Sequence, residues 1–183
     1  MQLSNGEKLI LIMLSEIYEK MGVEGELDPG FIRSAIFSKN EWGLEWKYSG
    51  IPFEKEETPA LVKEVVNILD MWSFIEDSYK KTSNDEKKQI KEEAEPFGEH
   101  VKFSGFDGNN ESEYLNVAHF FINDLKSFLC FEGRGLNSHC PSIEVHRRMY
   151  DVFEPMRAEA GSGLLSSNQI IEILKAKIHP DRR

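Results

Sequence analysis

The chain is poor in the features that would announce a chemistry. It holds two cysteines, Cys130 and Cys140, too few for a disulfide framework, and both thiols are expected to be reduced. Its longest unbroken apolar run, Leu9 to Leu14, is six residues, far short of the roughly 20 needed to cross a bilayer as a helix. The opening MQLSNGEK has neither the basic region nor the small-residue cleavage site of a secretory signal. These absences predict a cytoplasmic chain. Positive charge is also scarce: 22 Lys and Arg face 32 Asp and Glu, a net charge of -10. That field repels nucleic-acid phosphate and anionic membrane alike, so neither is an expected partner. There is no P-loop, GxGxxG, GxSxG or HExxH, no repeat of solenoid period and no low-complexity tract. No cofactor is expected.

What is present is helical periodicity. Ser4-Asn5-Gly6-Glu7 fits a capping box. Behind it Leu9, Ile10, Met13, Leu14, Ile17 and Met21 recur at three- and four-residue spacing, with Leu11 and Ile12 widening the stripe towards burial on two sides. Asp28-Pro29 opens a second helix that turns Phe31, Ile32, Ala35 and Ile36 inward. Asn40 to Phe53 is irregular and aromatic, with Trp42, Trp46, Tyr48 and Phe53. Such residues stack on bases elsewhere, but Glu41, Glu45 and Glu54 give the segment the wrong sign, and a core-covering segment or subunit contact is the better reading. Thr58-Pro59 starts a long helix reaching Tyr79, apolar around most of its circumference and therefore central. Ser83-Asn84-Asp85-Glu86 opens a charged, solvated helix that Pro96 stops.

The region from Val101 to Met156 organises the rest. Val101 to Phe106 alternates like a strand, but with no partner strand it reads as an extended lead-in. Asp107-Gly108-Asn109-Asn110 is a turn, and Asn110 with Glu113 fits a capping box. The helix that follows is expected to run through Tyr114, Phe121 and Leu125 to Leu129, with His119 beside its apolar stripe as a hydrogen-bonded, partly buried histidine. The loop from Gly133 to Pro141 then packs Arg134, Asn137, Ser138, His139 and Cys140 into nine positions. Ser142 begins a helix ending near Glu154-Pro155-Met156, Ser166 to Gln169 caps a last helix, and the closing HPDRR is expected to be mobile.

The runs VKFSGFDGNNESEY and GRGLNSHCP, the opening LSNGEKLILIMLSEIY and the central ETPALVKEVVNILDMW resemble the YfbU-like family of bacterial and archaeal proteins from about Leu3 to Ile178. The resemblance implies an all-α, multi-helix fold with a helical hairpin and a larger bundle. We therefore expect six to eight helices in a single domain over residues 1–183, with possible subregions 1–82 and 83–183. Some relatives carry an added N-terminal DNA-binding module. This chain starts at the family's first helix, so DNA binding is not carried over. The resemblance supplies no activity.

Three functions compete on the residues. The preferred one is an interaction or regulatory protein, a homo-oligomer or the partner of an unknown protein, meeting it through the Trp42 to Phe53 segment and the long apolar helix. The alternative is a metal-independent ribonuclease. Arg134 and His139 stand in an Arg-x4-His spacing that resembles the motif of the helical HEPN ribonucleases, with histidine as general acid or base and arginine holding phosphate. The competing account pairs Arg134 with Asp107 or Glu132 and lets His139 cap the next helix. Glycines on both sides of Arg134 put the pair in a loop rather than on a helix, which weakens the enzyme reading. The third is a metal site from Cys130, His139, Cys140 and His146. Its spacing fits no zinc pattern, and reduced cysteines in packing positions are preferred. Asp107, Asn137, Trp42 and Trp46 are candidate binding residues. Asp107, Arg134, Asn137 and His139 are expected in one neighbourhood. A helix of some 20 residues between the loops would hold its ends roughly 30 Å apart, so one loop must fold back.

Overall fold

The computed structural model describes residues 2–54, 56–160 and 163–179. Of the closing HPDRR, only His179 lies among them. Among the described residues there are eight α-helices and no strand: α1 (Asn5–Lys20), α2 (Pro29–Phe37), α3 (Trp42–Lys47), α4 (Ala60–Lys81), α5 (Asn84–Glu93), α6 (Ser112–His119), α7 (Ile143–Ala160) and α8 (Ser167–Lys175). Four of the caps fall where the local sequence places them. Reciprocal capping boxes open α1 (Ser4 with Glu7), α5 (Ser83 with Glu86) and α8 (Ser166 with Gln169). The Asp28 side chain accepts from Phe31 N–H at the start of α2, ahead of the proline at its first turn.

α4 is the axis of the core. Val65, Ile68, Leu69, Met71, Trp72 and Ile75 are all at most 1% exposed. α6, α7 and α8 pack around it, and α5 lies on α8 through the fully buried Ile90. A second, smaller cluster joins Phe31 and Ala35 of α2 to Leu44 of α3 and to Phe120. Gly43 makes that junction possible, because a Cβ there would stand 2.3 Å from the Phe120 ring.

Three elements differ from expectation: Trp42–Lys47 forms the short helix α3 within a segment that reads as irregular in sequence, and two helices end elsewhere. α6 is short: eight α-helical residues run into a π-helical turn over Phe120–Asp124, and Leu125 N–H bonds the carbonyl of Phe120. The chain then reverses through Lys126 and Phe128, both left-handed at φ 54° and 53°, a conformation that non-glycine residues adopt rarely. Phe128 returns its ring against Phe121, and Ser34 Oγ bonds the Asp124 carboxylate. Side-chain packing thus stops a helix whose periodicity would carry it to Leu129. α7, by contrast, continues through Pro155 to Ala160. Its last turn is held to α4 by Arg157, which bonds Asp70 at 2.8 Å and lies over the Phe74 ring. These contacts outweigh the hydrogen bond that a proline removes.

Candidate functional site

The reversal after α6 brings the two glycine-rich loops together. Phe106 N–H bonds Leu136 O at 2.9 Å and Ser138 N–H bonds Phe106 O at 3.0 Å, a single parallel bridge between Phe106 and Asn137. Asn137 Oδ1 accepts from both Gly108 N–H and His139 N–H at 3.0 Å. Gly105, at φ +89°, lets the two loop segments touch: a Cβ there would fall 1.8 Å from the Leu136 carbonyl oxygen. Asp107 is buried and accepts from Asn109 N–H and the Asn110 side chain. Those bonds, Asn110 first, hold its carboxyl below the usual range, and His139 adds to the effect. Asn110 therefore serves the turn and does not cap α6.

Glu111 fastens the junction. Its residue is 9% exposed, and its carboxylate accepts from Asp107 N–H (2.9 Å), Ser142 N–H (2.7 Å), Ile143 N–H (3.0 Å) and the Ser142 hydroxyl (2.7 Å). Ser142 and Ile143 open α7, so one carboxylate satisfies free donors at a helix start and sits at the positive end of its dipole. Burial pushes the Glu111 carboxyl up, but the bonds from Ile143, Asp107 and Ser142 bring it below the ordinary value. Beneath the junction, Trp72 Nε1–H donates to His146 Nδ1 at 3.1 Å, which leaves Nε2–H to face Gly105 O at 3.2 Å. Burial lowers the His146 pKa to about 4.

Arg134 turns to neither Asp107 nor Glu132. It forks onto Glu76 of α4, with both nitrogen–oxygen distances 2.8 Å, and Glu76 also accepts from Phe103 N–H at 2.9 Å. Glu132 pairs with Lys126 instead. His139 is exposed, at φ 56°, and Glu111 rather than His139 binds the start of α7. Trp42 and Trp46 lie apart from the loops. Trp42 is half-buried against Phe120 and Phe121 and donates to Asn40, while Trp46 packs on Trp42 and stays 47% exposed. The structure thus brings Asp107, Asn137 and His139 together and places Arg134, Trp42 and Trp46 elsewhere. Among the described residues no three His, Cys, Asp or Glu are arranged to hold a metal ion. The Asp107 and Glu111 carboxylates, the Ser142 hydroxyl and the Asn137 side-chain carbonyl are all engaged within the chain, so the junction acts as a clasp.

The conspicuous open surface is on α1. Only Ser15 of its 16 residues is buried. Leu9, Ile10, Met13, Leu14, Ile17 and Met21 are 49% to 72% exposed. Leu11 and Ile12 are half-buried on the side facing α2, helped by Lys8–Glu41 and Glu19–Arg33 ion pairs. Open grooves of about 390 and 310 Å³ follow one another along the α2 edge of the helix and share Leu11, Leu27 and Ile32 in their walls. The sequence signal for this surface was the breadth of the apolar stripe, wider than one partner helix covers. Glu76, Glu111 and His146, which build the clasp, have no such signal, because each has partners 27 to 74 positions away in the chain.

A YfbU domain model matches residues 1–176. The chain belongs to the YfbU family. The UPF0304 protein MJECS11 of Methanocaldococcus jannaschii is 27% identical over 117 residues, 61% of this chain and 65% of that protein. Neither name carries a substrate or a reaction. The YfbU domain seen here is all-α with a hairpin, α1–α2, standing against a larger bundle, and no helix among its described residues is long and apolar enough to cross a membrane.

Proposed function

We propose that this YfbU chain is a cytoplasmic interaction protein and that the outer face of the α1–α2 hairpin is its docking surface. One observation carries the reading: five large apolar side chains on a single helix, and Met21 at its C-cap, are about half exposed or more, while the helix buries one serine. Exposed apolar patches on soluble monomers are small, and larger ones mark association sites. The ribonuclease reading gains nothing from the geometry, since Arg134 would have to leave a bidentate carboxylate, 7% exposed, to reach a phosphate. The test is an apolar dye that reports exposed hydrophobic surface, applied to the wild type and to Ile17→Glu. Ile17 is 49% exposed, so the change leaves the melting temperature of the dissociated chain within about 2 °C, as surface substitutions do. The face reading requires dye bound by dissociated wild-type chain to be lost in the variant. Equal dye binding by both would refute it.

A further inference from the structure

We infer that the occupant of this face is a second copy of the chain, with the two α1 helices antiparallel about a two-fold axis between Met13 and Leu14. The inference rests on the docking reading above and adds the partner and its register. Ile10, Leu14, Ile17 and Met21 follow one another at spacings of four, three and four, the alternation that keeps apolar side chains on the seam between two packed helices. A two-fold axis at that point sets residue i against residue 27 - i. Ile10 then meets Ile17, Met13 meets Leu14, and the exposed Glu7 near one helix start meets the exposed Lys20 at the other's end. Apolar groups face apolar groups and opposite charges face each other, the self-complementarity that a two-fold interface demands.

Shape and area agree with this occupant. A two-fold contact needs one surface to carry both ridge and groove. Here α1 is the ridge, and the two grooves that follow one another along its α2 edge receive its mate. With Val23, Leu27 and Ile51, each 41% to 44% exposed, the face comprises nine apolar residues. At on the order of 100 Å² apiece they offer about 900 Å², against the roughly 800 Å² per partner of a standard interface. α1 has three acids against two bases, so the contact escapes most of the repulsion that a net charge of -10 would set between copies. The same charge disfavours an anionic membrane as the occupant.

The test combines mass with cysteine trapping in full-length protein carrying Cys130→Ser and Cys140→Ser, both exposed positions. Light scattering is expected to give twice the 21.1 kDa chain mass. Leu14→Cys lies beside the axis and is expected to oxidise to a covalent dimer. Ile10→Cys is expected to stay free, because its copies would stand roughly 10 Å apart along the helix, beyond disulfide reach. Ile10→Cys mixed with Ile17→Cys is expected to give a mixed dimer. Trapping of Ile10→Cys alone would mean parallel helices and overturn the register. A dimer that neither Leu14→Cys nor the mixture traps would place the contact elsewhere and overturn the inference. A monomeric wild type would overturn the second copy as occupant. Dye binding lost in Ile17→Glu would then leave the docking face standing for another partner, and its absence would sink both readings.

Discussion

Replacing Glu111 tests whether one carboxylate holds the two loops. In Glu111→Ala four bonds disappear, and the N–H groups of Asp107, Ser142 and Ile143 lose the acceptor they share. Bonds to charged groups contribute about 1.5–3 kcal/mol each but do not add when they share one acceptor, and water reaches some of the released donors; a loss of about 4 kcal/mol is expected. For a chain of this size that is a fall of roughly 10 °C in melting temperature by circular dichroism. Glu111→Gln keeps one oxygen and turns an NH2 group towards donors, so about half that loss is expected. The pH dependence supplies a second reading. The folded Glu111 carboxyl lies below its ordinary value of 4.5, so its contribution is fully present above that pH and is lost as pH falls through the folded value. The gap between wild type and Glu111→Gln should therefore narrow below pH 4.5. His146 titrates alike in both proteins and largely cancels from the difference. A Glu111→Ala protein within about 1 kcal/mol of wild type, or a gap that ignores acid, would refute the clasp.

Other residues give independent checks. His146, lowered to about 4 from 6.5, is protonated in the unfolded chain but not in the folded one between those values. Stability should fall on acidification across that window by about 1.4 kcal/mol per pH unit, read as a urea midpoint. His146→Gln, able to accept from Trp72 and donate to Gly105, should flatten that slope; an unchanged slope would assign it to other groups. Gly105→Ala drives a methyl into the Leu136 carbonyl and is expected to cost about 3 kcal/mol or more, and a melting temperature like wild type would deny the close approach. Arg134→Ala leaves the buried Glu76 carboxylate without its cation, an expected loss of about 3 kcal/mol. His139→Ala, at an exposed position, should change stability by less than about 0.5 kcal/mol and leave RNA incubated with the protein intact, as the wild type does. RNA shortened by wild type but not by His139→Ala would restore the ribonuclease reading.

Chain order alone determined the local features of this protein. Three capping boxes, the Asp28-Pro29 helix start and the broad apolar face of α4 are written in residues three or four apart, because helix termini and faces are satisfied by near neighbours. The family resemblance was legible for the same reason, as runs of consecutive residues. The tertiary structure decided what those faces meet. The α1 stripe has the periodicity of a buried helix, yet its apolar residues outnumber what α2 covers, and periodicity does not say whether the second face turns to core or to solvent. The end of the π-helical turn after α6 at Asp124 follows from Phe128 and Ser34 packing across the fold. The candidate pair Arg134 and His139 parts because Glu76, 58 positions from Arg134, takes the guanidinium, and the loops close because Glu111 reaches 31 positions to Ser142. Such partners are chosen by burial, which makes an unpaired charge or N–H costly wherever its mate lies in the chain.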